Sequence, residues 1–418
     1  MNGEVGLSTG AQKARPGTLG SVPTRVRLLI YTQILNTFGF GYFLIYLTAY
    51  LVEIGSMDAW GVGLILGLET VVVLLVGIPL GILSDRRGRK WFLIFGNSLL
   101  PLTLLIFSLT RDFGWYAFGA ALAGLSEACA LGSWNALIAD QTDLSNRDAA
   151  FSLSFIVSNV FLSAGFALPL AMPGLQALLG MSSDLVHSGS LFVLGLFNIP
   201  IPVFIWLLLR NYHESPDTEE RESPGELKML LKFSGLNGII GFGAGLIIPL
   251  LGTWFLYKFA VQDTFSGPFL ALSSMTIALA AVASPGLSRR YGVFNSILMT
   301  AGSSTIFMFS MAFIPNVFLA GGVYLIRASL MNMASPLIDS YLMGIVHRGR
   351  RGLGSAIAAI VWRLPNSVTT IFGGFILFAG YSGGNHFLYD LPWILASGLY
   401  VVGIGLLYLN FRDVTPKG

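Results

Sequence analysis

Four ionisable residues, Glu69, Glu127, Arg327 and Arg363, stand inside long apolar runs of this chain. A charge at mid-depth of a low-dielectric medium is costly and is kept where it faces a partner or a wet cavity. Carboxyls so placed can take up and release a proton, because burial and a neighbouring arginine pull their protonation in opposite directions. A guanidinium can hold an anion or neutralise an acid. Arg363, within W-R-L-P-N (Trp362 to Asn366), has two equal readings: binding an anionic group, or neutralising Glu69 or Glu127. Glu69 reads equally as a hydrogen-bonding anchor and as a coupling residue.

The elements that position these charges belong in lipid. Of 418 residues, 54% are hydrophobic and 11% charged, and mean hydropathy is +0.73, far more apolar than a globular protein can cover with polar surface. Charged clusters separate apolar stretches of about 20 residues, each long enough to cross a hydrocarbon core of roughly 30 Å as a helix that satisfies its own backbone. Twelve spans are expected, beginning near Val26, Gly61, Trp91, Phe113, Ala149, Gly189, Leu230, Phe265, Phe294, Val317, Leu353 and Leu391. The fold class is therefore all-α membrane protein: a disordered tail (1–23), a six-helix bundle (24–209), a polar linker (210–229), a second six-helix bundle (230–411) and a short tail (412–418).

Positive loops stay cytoplasmic. With both termini inside, only Arg111 and Lys258 fall on the outer side, and a multi-pass protein of the plasma membrane is expected. The net charge of +3 reflects this topology and gives no hint of nucleic acid. A single cysteine, Cys129, excludes an intrachain disulfide and disfavours a cysteine-based metal site. Nucleotide-loop and H-E-x-x-H signatures are missing, and His187, His213 and His347 fall in predicted loops, so no cofactor, metal or enzymatic chemistry is expected.

The halves echo each other at an offset of about 200 residues. N-A-L-I-A-D (Asn135 to Asp140), followed by Arg147, resembles S-P-L-I-D (Ser335 to Asp339), followed by Arg351. Gly81 to Gly88 has a degenerate partner in Pro285 to Gly292. Asp140 and Asp339 read as helix-end partners for Arg147 and Arg351. Glu69 lies 12 residues before Gly81, about 18 Å along a helix. Glu127 lies 13 before Asp140, and Arg327 12 before Asp339, which suggests equal depth in corresponding helices.

The turn after the second span, G-I-L-S-D-R-R-G-R-K, carries the signature G-x-x-x-D-[RK]-x-G-R-[RK] at Gly81, Asp85, Arg86, Gly88, Arg89 and Lys90. With the six-plus-six layout, the chain resembles the major facilitator superfamily over nearly its whole length. That resemblance implies two pseudo-symmetric bundles rocking about a central cavity lined by spans one, four, seven and ten. It also implies that the turn joins the bundles on the cytoplasmic side as a conformational gate, with Asp85 pairing to a neighbouring helix when the carrier faces outward. Glu127 and Arg327 are then expected to face each other across the cavity and to pair in at least one state. Asn36 and Tyr42 are the best cavity-lining candidates in span one, beside Gln33, Tyr46 and Tyr50. Met331, Asn332 and Met333 offer an adaptable wall or core filling, and the glycine-rich span seven a bending gate or close packing.

The expectation is a monomeric secondary transporter working by alternating access on a small-molecule substrate, with protons as coupling ion and export of a small organic or lipophilic compound as the leading activity. The span-four arginine and span-five G-P-x-x-G-G element of the superfamily's drug exporters are not clear here: Ala120 stands where the arginine is sought, and Ser163 to Pro169 is looser. The alternatives are uptake or facilitated diffusion of a polar metabolite, such as an anion held by Arg327 and Arg363, and a polytopic membrane enzyme or transport-dead sensor.

Overall fold

The computed structural model describes residues 18–53, 55, 59–212, 224–260 and 263–412. The expected tail up to residue 17, the linker from 213 to 223, and residues 413–418 lie outside the described residues. Thr18 to Pro23, assigned from sequence to the disordered tail, is instead ordered: a 3₁₀ turn (Leu19–Ser21) closes with Ser21 Oγ donating to Thr18 O at 2.7 Å, and Val22 is buried.

All regular structure among the described residues is helical. The first half comprises α1 (Thr24–Glu53), α2 (Ala59–Arg87), α3 (Arg89–Leu109), α4 (Phe113–Asp140), α5 (Arg147–Ala167), α6 (Met172–Leu179), α7 (Ser183–Asn198) and α8 (Ile201–Leu209). The second comprises α9 (Pro224–Gly245), α10 (Leu251–Phe259), α11 (Asp263–Ala281), α12 (Ser284–Tyr291), α13 (Val293–Ser310), α14 (Val317–Ile345), α15 (Arg351–Gly383) and α16 (Phe387–Phe411). Helices α5 and α6, α7 and α8, α9 and α10, and α11 and α12 run on as four interrupted rods, giving twelve rods among the described residues. Each interruption has a proline at or beside it (Pro169, Pro200, Pro249, Pro285), where a missing N–H donor breaks the ladder. Among the described residues, nine of the rods are long and apolar enough to cross a membrane by length and composition. Large apolar side chains face outward, among them Ile306, Phe318 and Ile371, each more than 70% exposed, as a lipid-facing surface requires.

The repeat is sharper in the structure than in the sequence. Helices α3 and α13, α4 and α14, and α5 and α15 each begin 204 residues apart. Gly88 and Gly292, joining α2 to α3 and α12 to α13, both have positive φ, at 103° and 81°, which a residue with a Cβ adopts only under strain. Asp112 and Asn316 cap α4 and α14 in the same way, each accepting from the second and third N–H groups beyond it.

Within the first half α4 packs on α2 and α3, and α1 on α5; within the second α9 packs on α15 and α16, and α14 on α11 and α13. The halves meet where α15 lies on α2 and α4, and where α5 lies on α11 and α14. Glycines make the first of these junctions possible. A Cβ on Gly132 would sit 2.8 Å from Gly81 Cα, and one on Gly81 2.9 Å from Gly352 O, so three backbones from α2, α4 and α15 converge with no room for a side chain. The glycines of span seven serve packing as well: a Cβ on Gly238 or Gly241 would meet the carbonyl of Val361 or Trp362 at 2.9 or 2.8 Å.

Gly132→Val is therefore expected to hold α2, α4 and α15 apart. Spin labels on the exposed residues Arg86 and Gly349 should report a longer separation in the variant, and an unchanged distance distribution would show that the packing tolerates the extra carbons.

Candidate functional site

The charged turns gather at one end of the molecule and tie the halves together there. Asp85 accepts from Arg89 on its own turn, Nη2 at 2.6 Å and Nε at 3.0 Å. It also accepts from the first N–H groups of α15 across the interface, Gly352 at 2.9 Å and Leu353 at 2.8 Å. Those N–H groups have no intrahelical acceptor and carry the positive end of the helix dipole, so a carboxylate is their natural partner. Arg89 reaches on to Asp140 and to the carbonyl of Arg348. Asp140 takes Arg351 Nη1 at 2.8 Å, with the exposed Arg348 nearby. Arg86 stays exposed, and Lys90 lies over the Trp91 ring at 5.4 Å.

Both helix-end pairs expected from sequence are thereby corrected. Asp140 pairs with Arg89 and Arg351 rather than with Arg147, while Arg147 is buried with Nε and Nη1 lacking a partner. Asp339 shares a hydrogen bond with Asn135 rather than an ion pair with Arg351. The 204-residue offset explains this, because the counterpart of Asp339 is Asn135 and not Asp140. Asp339 lies five positions further in than Asp140, roughly 7 Å deeper along its helix.

Above this closed end a cavity of about 710 Å³ lies between the halves, within the roughly 300–1,000 Å³ of small-molecule sites. Gln33 and Thr37 of α1, Glu127 and Trp134 of α4, Asn237 of α9, Arg327, Met331 and Asn332 of α14, Arg363 and Asn366 of α15 and Tyr400 of α16 all line it. Of the span-one candidates, Gln33 lines the cavity, whereas the two favoured ones, Asn36 and Tyr42, do not. Asn36 turns to α3, donating to Asn97 Oδ1 at 3.1 Å. Tyr42 lies nine residues beyond Gln33, two and a half turns and so the opposite side of the helix. It is buried against His187, Oη to Nδ1 at 2.7 Å. His187 itself lies in α7 rather than in a loop. Tyr50, another candidate, donates to Phe107 O at 2.6 Å, and the side chain of Tyr46 lies outside the described residues.

The expected Glu127–Arg327 pair is not formed. Glu127 is ion-paired with Arg363, across the interface between α4 and α15. The counterpart of Glu127 under the 204-residue offset is Met331, so Arg327 stands four residues, one helical turn, nearer the far end. Arg363 lies 12 residues into α15 and Glu127 13 residues before the end of α4, which puts these two level on touching helices. Glu69 on α2 feels the charge of both. Arg327 donates instead to Tyr400 Oη at 2.8 Å and touches Met308 Sδ at 3.7 Å.

Asp148 escaped the sequence reading. It accepts from Ser288 of α12 and Ser340 of α14, a second tie between the halves. Ser288 is the counterpart of Ser84, one residue before Asp85, so the repeat pointed at that position. The two basic residues at the opposite end are each paired, Lys258 with Asp390 at 2.6 Å and Arg111 with Asp184 at 3.5 Å.

A twelve-rod bundle with paired halves, an interfacial cavity and a charged tie at one end describes a membrane carrier. Residues 29–370 match the profile of the Major Facilitator Superfamily, and the chain belongs to that family. It is 25% identical to the class H tetracycline resistance protein of Pasteurella multocida, over 93% of this chain and 97% of that protein. Its fold is similar to a bacterial homologue of the iron transporter ferroportin in an outward-facing state (TM-score 0.71, 17% identity, 93% of this chain and 99% of that one). It is also similar to the E. coli fucose:proton symporter (TM-score 0.70, 15% identity, 93% and 98%).

Because Tyr42 belongs to the bundle interior, Tyr42→Phe is expected to cost about 1–3 kcal/mol by stranding a buried hydrogen-bond partner. Thermal unfolding should show the loss, and binding of any cavity ligand should stay at wild-type affinity; weakened ligand binding without lost stability would place Tyr42 in the site after all.

Proposed function

We propose that this protein is a proton-coupled exporter of small organic compounds working by alternating access, with the proton carried on the carboxyls of Glu69 and Glu127 beside Arg363. The observation that carries this reading is that Glu127 is ion-paired beside the cavity with a guanidinium from the opposite half, with Glu69 in the field of both. Fully ionised, the trio keeps one negative charge in a low-dielectric setting, and a single proton removes it. When the halves rock, α15 moves against α4 and Glu127 loses or regains Arg363, so proton affinity changes with the state of the cavity. That is the property a coupled carrier needs.

Positive loops support placing both termini in the cytoplasm. In that orientation the closed end is cytoplasmic, and the Asp85, Arg89, Asp140 and Arg351 network is the gate that parts when the cavity turns inward. The likeness to a tetracycline resistance protein supports export over uptake. A monomer in the plasma membrane suffices, because the cavity and both ties are complete within one chain.

Compounds that stabilise the purified protein in a thermal-shift screen at two pH values supply the probes. In proteoliposomes their flux is expected to follow an imposed proton gradient. Glu127→Gln should abolish that dependence while exchange without a gradient continues. Wild-type gradient dependence in the variant would remove Glu127 from the coupling path.

A further inference from the structure

We infer that Arg327 is the docking point for an acidic group, and that the compounds taken into the cavity are amphiphilic organic anions bearing a carboxylate on an apolar body. This rests on the carrier reading above and deepens it.

Arg327 is 3% exposed and yet lines the cavity. Its neighbours are neutral: the hydroxyl of Tyr400 at 2.8 Å, the ring of the same residue at 5.5 Å, and the sulfur of Met308 at 3.7 Å. Its Nε has no partner. The other buried arginines fare differently. Arg89 and Arg351 sit on Asp140, and Arg147 lies within the field of Asp140, Asp143 and Asp148. A guanidinium does not escape by losing its proton, and a buried cation without a counter-charge is strongly disfavoured. An anion arriving in the cavity supplies that counter-charge, and a planar guanidinium whose Nε has no partner suits a carboxylate.

The acids that line the cavity have partners other than Arg327. Glu127 and Arg363 satisfy each other. Asp339 stands 12 residues along α14 from Arg327, about 18 Å toward the closed end. That places the Asp339 carboxyl at the cavity floor, far from Arg327. An anion therefore enters with its acidic group at Arg327 and its body toward Trp134, Phe233, Ile338 and Trp362, which supply apolar wall.

The test uses the purified full-length protein and a neutral twin of one acid. Binding of 2-naphthoate and of 2-naphthamide is measured by thermal shift and equilibrium dialysis. The wild type is expected to prefer the carboxylate by about tenfold or more, the size of a charge-assisted hydrogen bond. Arg327→Gln is expected to bring that ratio to about one through loss of carboxylate affinity, with amide affinity kept. Equal binding of acid and amide by the wild type, a comparison that needs no variant to fold, overturns the inference, and so does a preference that survives Arg327→Gln. A wild-type preference without carrier-mediated flux in proteoliposomes keeps the anion site and removes the carrier reading. Flux of the probe pair without any preference does the reverse.

Discussion

An ion taken out of water has to be matched, and at the closed end of this protein each buried acid takes part of its match from the other half. Asp85 draws on the N–H groups of Gly352 and Leu353, Asp140 on Arg351, and Asp148 on Ser288 and Ser340. The Asp85 and Asp140 contacts would not form if the backbones of α2, α4 and α15 stood a side chain further apart. The convergence of Gly81, Gly132 and Gly352 is thus the steric condition for the electrostatics, since a Cβ on Gly352 would already crowd Asp85 Oδ1 at 2.8 Å. Separating the halves returns all three acids to water at once, so the tie is held by desolvation balance rather than by one strong bond.

The two ties are related by the repeat, with their chemistry exchanged. In the first half the acid sits on the turn-bearing helix α2 and meets the start of α15. In the second, the turn-bearing helix α12 supplies a serine, and the acid, Asp148, sits in the first turn of α5. Asp85 corresponds to Arg289, and Asp148 to Gly352, at the same offset of 204. The backbone scaffold has kept its symmetry, down to the positive φ of Gly88 and Gly292, while the side chains have diverged. One tie now holds a carboxylate against a helix dipole and an arginine. The other holds it with hydroxyls, whose weaker bonds are the easier to exchange for water.

Much of this was legible in the residues. Apolar length gave the twelve rods, and glycine with aspartate in G-I-L-S-D-R-R-G-R-K marked the turn that Asp85 anchors. Side-chain direction was less legible, because a fully apolar helix carries little amphipathic signal. Asn36 and Gln33 differ by less than a turn, yet only Gln33 reaches the cavity. The Glu127–Arg327 expectation failed through register, since Asp140 and Asp339 look alike in their sequence surroundings but stand five positions apart in the repeat. Asp148 was hidden because its partners, Ser288 and Ser340, carry no charge to betray an interface.

The pairing that did form divides the cavity's charges in a useful way. A single carboxyl, Glu127, lies level with Arg363 on a touching helix and one turn away from the level of Arg327. Had it paired with Arg327, Arg363 would have been left to Glu69, and every cation in the cavity would have been neutralised by protein. Instead Glu69 and Glu127 cluster with Arg363 on the side of α2, α4 and α15, and Arg327 is left on the α14 and α16 side with a phenol for company. If the first cluster carries the proton, a ligand held by Arg327 does not compete with that proton for the same carboxylate. The two can then influence each other only through the position of the halves, which is the route by which one gradient drives another.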